Sequence, residues 1–140
     1  ELFAASMRAF SAGGEYDVGQ VVHGFNWQKL CPGHVVDVGG SSGFVSATLA
    51  RNFPGLTFEV QDLPAVTEQN TIEPLPEDVR DRVSFRAHSF FEPQLAMNVK
   101  AFFFRFVLHN WSDDAVVEIL RNLRPSLGLG TRVIVHELIL

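Results

Sequence analysis

Short apolar runs alternate along the chain with stretches in which apolar residues recur at helical spacing. Val35, Val36 and Val38 form a β-branched run that stops at Gly39-Gly40-Ser41-Ser42-Gly43, the signature of a strand entering a tight turn. Phe44 to Phe53 then reads as a helix, halted by Pro54-Gly55. Thr57 to Gln61 predicts a second strand ending at Asp62, after which Leu63-Pro64 opens a helix or turn. Residues 71–81, rich in Pro, Glu and Asp, read as a polar connection. Val83 to Ala87 is predicted as a third strand, Ala101 to Leu108 as a fourth and Arg132 to Ile139 as a fifth. Between the last two, Asp113 to Arg124 places Val116, Val117, Ile119, Leu120 and Leu123 on one apolar helical face. Ahead of the first strand, residues 2–30 look helical, broken at Gly13-Gly14, with Asp17 positioned to cap a helix over 18–25.

Strands alternating with helices predict an α/β fold, a doubly wound and mostly parallel sheet. The 140 residues suit one compact unit. It divides into a helical connector at 1–30 and a core at 31–140. Regular patterns are already under way at Leu2 and still running at Leu140, so the chain is expected to be a piece of a larger protein. If it stands alone, Val133, Ile134, Val135, Leu138 and Ile139 form an uncovered sheet edge, and poor solubility is expected.

Composition narrows the classes. The net charge is −5 and the basic residues are scattered, which argues against a nucleic-acid surface. No apolar run approaches the length of a bilayer span, so no membrane is expected. The lone Cys31 cannot close an internal disulfide and is expected to be a small apolar residue, with a cytoplasmic setting. No His, Cys and Asp residues fall at ligand spacing, so no metal is expected. Phe102, Phe103, Phe104 and Phe106 read as core rather than as a platform for stacking bases.

Ligands of open α/β sheets bind just outside the carboxyl ends of strands. His109 falls there, followed by a Trp111-Ser112-Asp113 helix start, and a histidine so placed can act as a base near neutral pH. The competing reading is a strand-end histidine that caps the next turn. Gly39, Gly40 and Gly43 let the first loop approach a ligand closely. Asp62 lies 19 residues beyond Gly43, where a carboxylate accepts the hydroxyls of an adenosine ribose; the alternative is a helix cap before Leu63-Pro64. The dinucleotide pattern G-x-G-x-x-G fails, because Ser41 and Phe44 stand at its second and third glycines. A phosphate loop fails too, for want of a Lys-Ser or Lys-Thr pair. What remains, D-x-G-x-x-x-G from Asp37 to Gly43, suits an adenosyl ligand without phosphate, such as S-adenosylmethionine.

VVDVGGSSGF, EVQDLPAV, RVSFRAHSFFEPQ, FFFRFVLHNWSDDAVVEILRNL and VIVHELIL resemble, in order, the small-molecule O-methyltransferases of the caffeic-acid and flavonoid type, above all their fungal secondary-metabolite relatives. The resemblance runs over the whole chain. Its specific part is H-[DN]-W-S-D, since the glycine loop is common to class I methyltransferases. It implies a Rossmann-like core that breaks off before the family's final β-hairpin, and S-adenosylmethionine as cofactor. His109 would be the general base and Glu137 the acid that orients it. Gly39, Gly40 and Asp62 would hold the cofactor, with Ser89 and Phe90 on its adenine side and Arg105 nearby. The partner would be a small-molecule hydroxyl acceptor, and the parent protein would be a homodimer through an N-terminal domain.

The chemistry is plain. A phenol titrates near 10 and a free imidazole near 6.5, so an imidazole can take the proton as the oxygen attacks a methyl carbon. Two departures from the family matter. Ser89 stands where an aspartate is usual, which removes a charge-assisted bond and implies weaker cofactor binding. Asn110 follows the histidine where plant members carry Asp. A second catalytic glutamate of the family has no counterpart within the chain, so this segment alone is expected to be weakly active or inactive. The rival reading is a methyltransferase-like protein that binds S-adenosylmethionine without transferring its methyl, pericyclase-like or inactive. The retained His109 speaks for transfer and Ser89 leans the other way.

Overall fold

A computed structural model describes residues 17–72 and 74–138. The expected helix over 2–10 lies outside them, as does Ile139, while the fifth strand expected to run to Ile139 already ends at His136. Helix α1 (Val18–Gly24) starts at Asp17, whose side chain accepts the Gly19 N–H at 2.8 Å, as the capping pattern predicts. A 3₁₀ turn at Trp27–Leu30 leads into β1 (Gly33–Val38). There follow α2 (Phe44–Asn52), β2 (Leu56–Asp62), α3 (Pro64–Ile72), β3 (Val83–Ala87) and β4 (Val99–Arg105). After a 3₁₀ turn at Leu108–Asn110 come α4 (Asp113–Arg121) and β5 (Arg132–His136).

The five strands form one parallel sheet in the order β3-β2-β1-β4-β5. The expected doubly wound α/β architecture is therefore what the chain adopts. The order reverses between β1 and β4, and that reversal leaves a crevice at their carboxyl ends.

Period-2 alternation sorts the phenylalanines of β4 between two cores. Phe103 joins Val35, Phe58 and Leu49 on the face covered by α2 and the 18–30 segment. Phe102 and Phe104 join Val36, Val38, Ile119 and Leu123 on the face covered by α4. Trp27 is 1% exposed, meets Phe103 edge-on at 5.3 Å, and donates its indole N–H to the Val21 carbonyl. The helical stretch before β1 is thus built into the main core.

Two expectations need correction. The fourth strand ends at Arg105, not Leu108, because Phe106 turns left-handed at φ 54° and breaks the ladder. An apolar run carries no record of that turn. The expected helix to Arg124 ends at Arg121; Ile119 on it and Leu123 just past its end are buried as expected, but Val117 and Leu120 are exposed. Only the side of α4 nearest the sheet is covered among the described residues.

Candidate functional site

The crevice between β1 and β4 is bounded by two left-handed residues that are not glycine, Ser41 (φ 55°) after β1 and Phe106 (φ 54°) after β4. Each holds a conformation costing about 1–3 kcal/mol, so its surroundings must impose it.

On the β1 side, the Gly39 and Gly40 N–H groups both donate to the Gln61 carbonyl, at 2.8 and 3.2 Å. Gly40 is required for room: a Cβ there would lie 2.6 Å from the Asp37 carboxylate and 2.8 Å from Val60. Gly39, at φ 71°, is required for conformation. Asp62 accepts the Ser41 N–H on Oδ2 (3.0 Å) and the Leu63 N–H on Oδ1 (2.8 Å). It therefore fixes the loop, and each oxygen retains a further lone pair.

Asp37, Gly39, Gly40, Phe44, Arg105 and Phe106 line a cavity in the crevice, with Ser41 at its rim. Sequence reasoning named Gly39, Gly40 and Arg105 as cofactor contacts and counted Asp37 only as the first residue of the D-x-G-x-x-x-G pattern; the structure makes Asp37 a wall of the cavity. Asp37 is 3% exposed and accepts the Ser46 hydroxyl at 2.7 Å. Burial pushes its pKa up to about 6, against the pull of Ser46 and of nearby Arg105. An acid inside the Val-Val-Asp-Val run was the available signal, since a carboxylate is costly to bury without a partner.

Arg105 sits 4.5 Å from the Phe106 ring centroid and 6.0 Å from that of Phe44. Its Nε donates to Nδ1 of His136 at 3.3 Å. Burial, then Arg105 itself, lowers the His136 pKa, which keeps that nitrogen available as an acceptor.

On the β4 side, Glu137 organises the turn. Its Oε1 accepts the Val107 and Leu108 N–H groups, both at 2.9 Å, and its Oε2 lies 2.7 Å from His109 Nδ1. A carboxylate already receiving two N–H donors is an acceptor towards the imidazole as well. His109 Nδ1 therefore donates, and in the neutral ring the lone pair falls to Nε2, on a partly exposed ring. His109 stands in the 3₁₀ turn at Leu108–Asn110, one turn past the strand end where it was expected.

Ser89 and Phe90 follow β3 along the same edge of the sheet but lie outside the cavity's lining. The Ser89 hydroxyl accepts the Phe91 N–H at 3.2 Å. Phe90 stacks on Phe91 at 5.0 Å and meets Trp111 edge-on at 5.6 Å. The structure thus unites Gly39, Gly40, Arg105 and Asp62 around one loop and pairs His109 with Glu137, while Phe90 packs into an aromatic cluster beside them.

This geometry has close relatives. The family model of the O-methyltransferase domain matches residues 6–140. O-methyltransferase VdtC of Byssochlamys spectabilis is 42% identical over 99% of this chain and 33% of its own length. The grayanic acid biosynthesis cluster O-methyltransferase of Cladonia grayi is 44% identical over 99% of this chain and 31% of its own. The chain thus spans about a third of the length of these curated relatives. Among solved structures, the O-methyltransferase NcsB1 of neocarzinostatin biosynthesis, in complex with S-adenosylmethionine and 2-hydroxy-5-methyl naphthoic acid, superimposes with a TM-score of 0.79 at 31% identity. That superposition covers 96% of this chain and 40% of the other. The sheet order, the glycine loop and a match over nearly every residue agree: the chain belongs to the O-methyltransferase domain family.

Proposed function

We propose that the protein carrying this domain moves a methyl group from S-adenosylmethionine to a hydroxyl, phenolic in character, of a small secondary metabolite, with His109 as the general base. The observation that carries this reading is the His109–Glu137 pair at 2.7 Å, with Glu137 anchored by two backbone N–H bonds. A base must have its acceptor nitrogen free and its ring fixed, and this arrangement supports both.

The residues around the cavity fit the cofactor. S-adenosylmethionine supplies an electrophilic methyl on a sulfonium and carries an ammonium, a carboxylate and an adenosyl ribose, but no phosphate. Asp37 and Asp62 would repel a phosphate, whereas Asp37 suits the cationic end of such a ligand and Arg105 its carboxylate. Gly39 and Gly40 give the backbone close approach, and Asp62 retains acceptor capacity for ribose hydroxyls. Ser89 and Phe90 would border the adenine side.

His109 would take the hydroxyl proton on Nε2 while Glu137 stabilises the imidazolium. The bound cofactor would supply the methyl group, its C–S bond breaking to release S-adenosylhomocysteine, so the remaining task of these residues would be to position the two reactants. NcsB1, solved with a hydroxylated naphthoic acid, supports an aromatic hydroxyl as acceptor. A dimer formed through a region preceding this domain, and a cytoplasmic setting, belong to the same reading. Among the described residues no helix is long and apolar enough to cross a membrane.

The test is release of S-adenosylhomocysteine with a panel of phenols. His109→Asn should lower kcat by about 10²–10⁴-fold and leave S-adenosylhomocysteine affinity unchanged. Tight cofactor binding without methyl transfer to any hydroxyl would instead establish the binding-only alternative.

A further inference from the structure

Helix α3 contributes one buried residue to the fold, and that residue is polar. Asn70 is 7% exposed, while the other positions of Pro64–Ile72 are half-buried or exposed. A buried amide persists only where it has a partner of matching geometry. The partner of Asn70 lies 29 residues away: its Nδ2 donates to the Ser41 carbonyl at 2.8 Å.

Ser41 is the strained, left-handed residue at the cavity rim, and its two flanking peptide groups are both held from outside the loop. The Ser41 N–H donates to Asp62 Oδ2, and the Ser41 carbonyl accepts from Asn70. Neither anchor belongs to the glycine loop. With Asp62 alone, the Ser41–Ser42 peptide could rotate and Ser41 relax to negative φ, carrying the rim with it. Glycine would adopt the same conformation without strain.

We infer that Asn70 is a positioning residue for the cofactor: its amide holds Ser41 left-handed and so keeps the glycine loop in the shape that receives the adenosyl group. It acts through Ser41 and touches neither cofactor nor acceptor in this scheme. Cofactor affinity is thereby tied to the docking of α3, an element whose sequence shows no ligand motif. The inference rests on the methyltransferase reading above.

The test uses the native full chain and four variants: Asn70→Ala, the near-isosteric Asn70→Asp, Ser41→Gly and the double variant Asn70→Ala/Ser41→Gly. Asn70→Asp keeps the side-chain volume if the alanine proves unstable. Calorimetry with S-adenosylhomocysteine should show both Asn70 variants binding about tenfold more weakly. Their kcat at saturating S-adenosylmethionine should stay within about twofold of wild type, because the base is untouched. Adding Ser41→Gly to Asn70→Ala should restore affinity to within about threefold, which a merely structural role for Asn70 would not allow. Wild-type affinity in Asn70→Asp, or no restoration by Ser41→Gly, would overturn the inference. If the wild-type protein binds no S-adenosylhomocysteine, the functional reading fails. The clamp then stands or falls on ligand-free amide exchange at Ser41, which should be faster in Asn70→Asp and which, if unchanged, refutes it.

Discussion

The loop after β1 and the turn after β4 face each other across one crevice, yet they are held in opposite ways. Three outside groups secure the glycine loop through four bonds: the Gln61 carbonyl takes Gly39 and Gly40, Asp62 takes the Ser41 N–H, and Asn70 holds the Ser41 carbonyl. Among the described residues, the turn bearing His109 depends on one side chain: beside the Phe106 N–H bond to the His136 carbonyl, Glu137 receives Val107, Leu108 and the imidazole. The first arrangement spreads its risk over several modest bonds. The second concentrates three charge-assisted bonds on a carboxylate that lies one residue past β5. Damage on the β4 side should therefore be steep and damage on the β1 side graded.

The largest effect expected is from Glu137→Ala, which removes the imidazole's acceptor and frees two backbone N–H groups. Turnover should fall by about 10³-fold or more. Glu137→Gln retains a carbonyl for the backbone donors and should lose only about 10–100-fold. Steady-state kcat separates the two, and equal losses would show that the backbone bonds are not what shapes the turn.

Gly40→Ala comes next. Its Cβ would press on Asp37 at 2.6 Å and Val60 at 2.8 Å, both within the packed strand layer. S-adenosylhomocysteine affinity should drop about a hundredfold, with a lowered melting temperature. Near-normal binding would mean the loop is softer than its anchors imply.

The smallest effect sharpens the comparison by reversing its sign. Asp37 titrates at about 6 in the folded protein against an ordinary 3.8, so between those values the folded chain keeps a proton that the unfolded chain has released. Folding stability from this group is thus greatest below about pH 4 and is lost as pH rises through about 6. Asp37→Asn abolishes that dependence. It should be more stable than wild type above pH 6, on the order of 2 kcal/mol, and no more stable than wild type below pH 4. Urea denaturation at a series of pH values measures this, and S-adenosylhomocysteine binding should weaken in the same variant. A wild-type pH profile in Asp37→Asn would place the titrating group elsewhere.

The fold was readable because its signals are local. Val83–Ala87 is found at its predicted limits, and Ser112 begins α4 with its hydroxyl accepting the Ala115 N–H. The run from Ala101 to Leu108 misled only at Phe106, where hydrophobicity is blind to the sign of φ. The site was readable in pieces. Gly39, Gly40, Asp62, His109 and Glu137 were found by motif and resemblance. Asp37 was visible as the first residue of the D-x-G-x-x-x-G pattern, but its burial against Ser46 was not. Asn70 was invisible: it joins a helix to a loop 29 residues away, and no spacing rule links the two. Contacts made by tertiary packing leave no periodic trace in the sequence.

The dependence of the His109 turn on Glu137 also sets an order of events as the chain is made. His109 is synthesised 28 residues before the acid that orients it. The turn can close only after β5 has emerged and paired with β4, whose Arg105 lies beside His136 in the register. Until then the glycine loop, whose anchors all precede residue 71, can already be shaped. The anchors of the glycine loop are thus made first, and the residue that holds the His109 turn is made last.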